Sequence, residues 1–599
     1  REATLAPDPG QAAGAMVEAA LLAADMGDRT EAVNRLTTVL ETDPNNSQAA
    51  MKLRGILGDE APRTLAGIYE RIGHDHADAK LGAVAWAQAA AIELNELKDA
   101  PAAFFAAGRA LARDGESVPA LEMRADSGEI SGRTQDAADA LQKRLAAAAA
   151  DEPRAAGWKL RLGRLYAELG DAEKALPMLG DALGELQPVL LLKVATGARS
   201  LKPEDTVRLY RRLVEVFPEP AEPEPTRVQL AAFADELGRA HLALGQQDEA
   251  LVAFRKAVEL EPHNRLALRQ LADLSAQRAP EEAIAAHRAL MEMTPPPQDS
   301  LHALAGLFKA VGREDAAFCA TAALVGLGAA TPEERTLHEG TASRPPPVEL
   351  PQLADNAAVH APGDEGAARE LLAAAAAELG RALPTDMSGG RGALVKGDNP
   401  VRRVVAAIAR ALGMTEPSLF LARNEPAVVA PVVAESPGLL VGAEVPKRYS
   451  PRQQRFLYAR ALGHIRRGTH AIASLTPARL GGLVAELVRL AAPSGTDLSK
   501  LPPADSALAE MLARQVSQEA RARLAPLAAR AAAETPSAWE ALSIGIRESA
   551  ERAGLAVSGD PAAAVSIVAT ECPGGLERPE VARLVRFAIS DAYLALRPK

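Results

Sequence analysis

The sequence has few aromatic residues, two cysteines and no long apolar run. Cys319 and Cys572 lie far apart and belong to no CxxC pair, which argues against a disulfide framework and a zinc ribbon. Both are expected to be buried as small apolar side chains. No stretch of about 18 uninterrupted apolar residues occurs, so a membrane-spanning helix is not expected.

Alanine supplies much of the apolar content of the chain. Hydrophobic residues make up 48% and aromatic residues 3%, a composition that favours closely packed helices. At 599 residues the chain is several times longer than a typical domain of roughly 100 to 200 residues, so at least two structural units are expected. The net charge of -11 argues against extensive nucleic-acid binding.

The clearest internal repeat spans residues 231–264. Small residues at Gly238 and Ala250 allow two helices to touch, Phe254 fills the space between repeats, and Pro262 ends the second helix. With Leu237 and the turn glycine Gly245, these positions resemble the tetratricopeptide repeat, which implies a helical hairpin that stacks on its neighbours.

Further copies with fewer matching positions are predicted on both sides of this repeat. They begin near Ala13, near Ala156, after Asn264 and near Leu301, and eroded hairpins are expected over 63–111 and 118–150. We therefore predict a degenerate repeat array over 1–340, an α-solenoid. The Pro- and Glu-rich run at 218–225 is expected to bend the array, because repeated proline forbids helix.

First-helix residues of such an array line a concave groove, which this family generally uses to hold peptides or helices of partner proteins. The predicted groove residues are Arg164, Asp235, Arg239, Leu242 and His302. The alternative is that they are polar residues on a solvated helix face. No repeated Lys and Asn set that would clamp a terminal carboxylate is present, so the ligand class stays open.

A proline-rich linker is predicted at 341–363, followed by a second domain over 364–599. Short strands are expected at 419–422, 428–433 and 439–445, because these runs are rich in β-branched and apolar residues. The loop at 389–397 has no GK[ST] ending, so a phosphate-binding loop is not indicated.

The segment SPRQQRFLYARALGHIRRGTHAIASL is predicted to form a helix that Ser450 caps. It resembles the active-site helix of HExxH zinc metallopeptidases, and the preceding PGLLVG resembles the strand that such enzymes place before that helix. The resemblance implies an α+β peptidase-like domain, and such peptidases are sometimes joined to tetratricopeptide repeats.

Three motif positions decide the chemistry. An HExxH helix needs two histidines four residues apart for zinc and a glutamate that activates water. Here those positions read Arg460, Ala461 and His464, so the first ligand is a cation and the general base is a methyl group. We expect no catalytic residue, no metal and no cofactor. The alternative is an active metallohydrolase with an atypical site around His464 and His470.

The same segment is locally basic, and no acidic residue occurs from Val445 through Ala485. A basic patch of Arg452, Arg455, Arg466 and Arg467 is predicted to attract an acidic protein surface, with a solvated helix face as the alternative.

The C-terminal region is predicted to be helical, and its ending resembles the tails of large tetratricopeptide proteins of high-GC bacteria such as the myxobacteria. The overall expectation is a mainly α protein: a repeat solenoid, an α+β domain with few strands, and a helical tail. Its expected role is a protein–protein interaction scaffold or assembly subunit, bound to other proteins or to copies of itself. A cytoplasmic location is favoured over a periplasmic one, although Arg1 leaves a removed leader or missing repeats open.

Overall fold

The computed structural model describes residues 9–149, 151–220, 225–342, 349–354, 356–387, 392–433 and 437–597. The chain divides into two units, residues 1–261 and residues 262–599. Parts of the predicted connector at 218–225, the linker at 341–363 and the loop at 389–397 lie outside the described residues. Ala150 at the end of a predicted hairpin also lies outside them.

The first unit consists of consecutive helices joined by short turns, as predicted. They are α1 (Pro9–Asp25), α2 (Arg29–Thr42), α3 (Ser47–Leu57), α4 (Ala61–Asp75), α5 (Ala79–Asn95), α6 (Ala100–Arg113), α7 (Val118–Ile130), α8 (Thr134–Ala146), α9 (Ala155–Leu169), α10 (Ala172–Leu179), α11 (Pro188–Gly197), α12 (Pro203–Val216), α13 (Arg227–Ala243) and α14 (Gln247–Leu260). Helix α13 starts at a capping box, in which Thr226 accepts from Gln229 N and Gln229 Oε1 accepts from Thr226 N.

The hairpin of α13 and α14 shows why the repeat needs its small and large residues. Phe254 is fully buried, and a Cβ at Gly238 would lie 2.7 Å from its ring, so the glycine lets α13 approach the aromatic side chain. Gly245 adopts φ +75° in the turn, a conformation that glycine reaches without strain.

Truncation of this ring is expected to destabilise the first unit. Phe254→Ala should lower the free energy of unfolding by about 3–5 kcal/mol, because it leaves a cavity between tightly packed helices. Urea titration followed by limited proteolysis and mass spectrometry measures the change in the peptides of α13 and α14. Val252→Ala, an exposed position on the same helix, should change it by less than about 0.5 kcal/mol. Equal effects of the two substitutions would contradict the packing described.

The second unit combines helices with one small sheet. The helices are α15 (Arg265–Ser275), α16 (Pro280–Met291), α17 (Gln298–Ala310), α18 (Glu314–Gly326), α19 (Pro332–Ala342), α20 (Ala367–Ala374), α21 (Ala376–Ala382), α22 (Pro400–Ala411), α23 (Val445–Arg448), α24 (Pro451–Arg466), α25 (Pro477–Ala491), α26 (Ser506–Gln515), α27 (Gln518–Ala532), α28 (Pro536–Ser558), α29 (Pro561–Glu571), α30 (Pro579–Ala588) and α31 (Asp591–Leu596).

The strands are β1 (Ala393–Leu394), β2 (Ser418–Ala422), β3 (Val429–Val432) and β4 (Gly438–Gly442). Their order is β1-β2-β4-β3, with β2 and β4 parallel and the other two pairs antiparallel. All five residues of β4 are buried. The predicted mainly α fold with a few short strands is confirmed.

The end of the repeat copies does not coincide with the end of a structural unit. Helices α17 and α18 share one apolar core with the C-terminal helices, in which Phe308, Val565 and Tyr593 are all buried. A Cβ at Gly326 would lie 2.8 Å from Val565, so α18 lies directly against α29. The division after Glu261 therefore differs from the predicted linker at 341–363, because burial joins residues on both sides of that linker.

Candidate functional site

The helix predicted to resemble a peptidase helix begins where the sequence indicates. Ser450 Oγ accepts from Gln453 N, and Gln453 Oε1 accepts from Ser450 N, which forms a capping box at the start of α24. The helix ends at Arg466, and Gly468 follows at φ +69°. His470 therefore lies in the turn after the helix, where its Nδ1 is buried and has no hydrogen-bond partner among the described residues.

Arg460 occupies the position that the predicted resemblance assigns to a first zinc ligand, and an acidic partner engages it. Its two terminal nitrogens donate to the Glu571 carboxylate at 2.7 and 2.6 Å. A bidentate arginine–carboxylate pair fixes both side chains. Ala461, at the position of the general base, is buried and brings no polar atom.

His464 is the one motif residue of the expected type. It is buried, and its Nδ1 lies 3.1 Å from Thr469 Oγ1. Burial lowers the pKa of His464 to about 3, and the nearby cation Arg460 adds to this effect. The imidazole is therefore neutral at neutral pH.

His464 is expected to make the second unit sensitive to acid. Below the ordinary pKa of 6.5, His464 binds a proton in the unfolded chain but not in the folded state. Stability therefore falls as the pH falls from 6.5 towards 3. From pH 8 to pH 5 this histidine should cost about 2 kcal/mol of unfolding free energy. His464→Asn should remove that loss, whereas exposed His263→Asn should not. Urea midpoints of the α24 peptides at both pH values measure the difference, and parallel profiles of wild type and His464→Asn would contradict it.

A cavity of about 390 Å³ lies beside α24. Arg460 and His464 line it from α24, Val429 and Pro431 from β3, and Glu551 from α28. Glu551 is buried, with only 4% of its surface exposed. Among the described residues, however, neither Glu551 nor the adjacent Arg547 makes a hydrogen bond or ion pair. Burial raises the pKa of Glu551 to about 7, against the opposing effect of Arg460 and Arg547. The cavity thus contains a buried carboxyl group to which no described residue donates a hydrogen bond.

Four further residues line this cavity that the sequence pattern did not indicate: Arg547, Glu551, Glu571 and Glu580. One signal was available for Glu551, because it stands one turn before the buried Gly554 and Leu555 on the apolar side of α28. Glu571 gave no signal, since its contact with Arg460 spans 111 positions.

The predicted basic patch is distributed over separate contacts. Arg452 lies 3.6 Å from Asp560, Arg466 donates to Leu412 O, and Arg467 pairs with Asp364. Arg455 is half-buried, and burial lowers its pKa. The sequence predicted that these arginines form one patch. In the structure they do not stand together on one free surface.

The predicted groove residues differ in exposure. Asp235 is buried on α13 and lies 3.0 Å from Arg239, which is exposed; burial raises the pKa of Asp235, an effect that Arg239 opposes. Leu242 is half-buried, and Arg164 is exposed on α9. His302 belongs to the second unit, where its Nδ1 lies 2.9 Å from Glu334.

Two further observations concern the described residues as a whole. No group of three or more His, Cys, Asp or Glu side chains in the described ranges is placed to hold a metal ion. None of the described helices is both long enough and apolar enough to cross a membrane.

Cys319 is buried as expected, but Cys572 is only half-buried, at the cavity beside α24.

The helical hairpins define a class of repeat protein, and one segment identifies the repeat. Residues 231–264 match the family model of the tetratricopeptide repeat, which confirms the prediction for this copy. No curated protein matches the chain.

Several solved structures have partial similarity to the chain. YrrB, described as a TPR protein with an unusual peptide-binding site, is 18% identical over 31% of this chain and 90% of its own, with a TM-score of 0.19. A tetratricopeptide repeat protein from Parabacteroides merdae is 18% identical over 44% and 99%, with a TM-score of 0.20. Pseudomonas aeruginosa pilF is 17% identical over 44% and 97%, with a TM-score of 0.17. At TM-scores this low, none of these similarities bears on function.

Proposed function

We propose that the chain is a protein–protein interaction scaffold whose helical hairpins hold a segment of a partner protein. The observation that carries this proposal is the tetratricopeptide repeat at 231–264, which lies among consecutive helical hairpins. Stacked hairpins present their first helices along one surface, which suits an extended peptide or a helix. Arg164 and Arg239 offer exposed cations on two of these first helices.

The second unit is proposed as an additional docking or structural module without peptidase activity. Two observations support this role: Arg460 is engaged by Glu571, and Ala461 has no group that could activate water. The proposal places this chain in a larger assembly, as a subunit or as a copy in a homo-oligomer.

Charge reversal on the first helices tests the scaffold role. Affinity purification with the intact chain should recover a specific partner, and the double variant Arg164→Glu, Arg239→Glu should recover at least tenfold less of it. Arg211→Glu is the matched control, because Arg211 is exposed on the second helix of its hairpin and has no described polar contact. Unchanged recovery with the double variant would refute binding through the first helices.

Metal analysis of the same purified chain tests the inactive-module role. We expect no stoichiometric zinc in the wild-type protein. One zinc ion per chain that disappears in His464→Ala would contradict this role and favour the metallohydrolase alternative.

A further inference from the structure

The carboxyl group of Glu551 is a buried polar group of the cavity beside α24. Its side chain is almost completely buried on α28, yet no described residue donates a hydrogen bond to it. Two arginines line the same cavity, but Arg460 is engaged by Glu571 and Arg547 makes no ion pair among the described residues. A buried carboxylate is stable when a cationic donor pairs with it.

The remaining charges of the cavity favour a cation over an anion. The pair of Arg460 and Glu571 is internally neutral, which leaves Arg547 against Glu551 and Glu580. At a pH above about 7, where Glu551 as well as Glu580 is ionised, the cavity has an excess of one negative charge. An entering ammonium or guanidinium group would balance this charge and donate to Glu551.

The edge of the sheet indicates that the cation comes from a polypeptide. Among the described residues β3 pairs only with β4, so it is an edge strand whose other side, here called its open side, has no strand partner there. Gly442 N donates to Val428 O, and because pairs alternate along an antiparallel ladder, Val429 and Pro431 turn their backbone groups to the open side. Both residues line the cavity, and their carbonyl groups can accept from an added strand.

We propose that the cavity beside α24 binds a lysine or arginine side chain of an extended partner polypeptide, with Glu551 as its counter-charge and the open edge of β3 as its backbone contact. This inference rests on the proposed docking role of the second unit. If the intact chain recovers its partner through the first unit but does not discriminate between the peptides described below, this inference alone is refuted and the scaffold role stands.

Calorimetric titration of the intact chain tests the proposal. The probe is the capped pentapeptide Ala-Ala-Lys-Ala-Ala, and its control has norleucine in place of lysine. The lysine peptide should bind at least tenfold more tightly, and Glu551→Gln should abolish this preference. Glu577→Gln should leave it unchanged, because Glu577 is exposed outside the cavity.

Arg547→Gln decides the sign of the ligand charge. Removal of this like charge should tighten lysine-peptide binding several-fold, an effect that a purely structural role of Glu551 would not produce. Weaker binding in Arg547→Gln would indicate an anionic ligand and overturn the proposal. Equal affinity for n-butylamine and the lysine peptide would overturn the contribution of β3, and equal affinity for the lysine and norleucine peptides would overturn the counter-charge.

Discussion

A fragment of residues 341–599 is expected to aggregate or stay unfolded, whereas residues 262–599 are expected to unfold in one cooperative transition. Helices α17 and α18 contribute Leu301, Leu304, Phe308 and Leu324 to the core that also contains Val565. Each large buried side chain contributes about 1.5–3 kcal/mol. Their joint loss is comparable with the stability of a typical domain, about 5–15 kcal/mol.

Circular dichroism during urea titration and size-exclusion chromatography compare the two fragments. Polar contacts reinforce the expected difference, since Arg288 pairs with Asp591 at 2.8 Å and Arg597 donates to Asp315 at 2.7 Å. If the 341–599 fragment were monomeric and unfolded in a cooperative transition, the predicted linker would separate two independently folding domains.

Asp364→Ala is expected to destabilise the second unit by about 3–5 kcal/mol, because it leaves two guanidinium groups without their counter-charge. The Asp364 side chain is fully buried, accepts from Arg369 Nε at 2.8 Å and pairs with Arg467. Arg369 also donates to Arg467 O at 2.8 Å, so the loss extends to the turn after α24. Urea midpoints of peptides from α20 and α24 measure the change.

Glu370→Ala is the control for this substitution. Glu370 pairs with Arg530 at 2.7 Å, but both side chains are more than half exposed, so its loss should cost about 0–1 kcal/mol. If both substitutions shifted the urea midpoint equally, the buried position of Asp364 would not explain its contribution.

Local signals predicted the elements around the cavity. The apolar run PGLLVG corresponds to β4, and the serine before Pro451 marks the start of α24 through a capping box. Other helix boundaries were missed, although they also depend on local capping residues. The C-terminal region was predicted only as helical, and the structure divides it at Ser517 and Ser590, which act as N-caps of new helices.

The chemistry of the cavity could not be predicted in this way, because its groups meet only in the folded chain. The sequence indicated that Arg460 and Ala461 are substituted and His464 is retained relative to the motif that the segment resembles, but gave no sign that Glu571 would pair with Arg460. Likewise, the charge of the segment from Arg452 to Arg467 suggested a patch, whereas partners from three distant segments engage these arginines. Composition gives the number of charges, and tertiary contacts decide which remain available.

The stacked rings of Tyr210 and Phe233, whose centroids lie 5.4 Å apart, hold α12 against α13 on either side of the proline-rich connector. The capping box at Thr226 starts α13 with groups of its own first turn. Neither contact uses the connector, so insertions there should accumulate during evolution at little energetic cost. Doubling a loop costs only about 0.6 kcal/mol in closure entropy. Relatives of this protein are therefore expected to vary in length at this position more than within the helical hairpins.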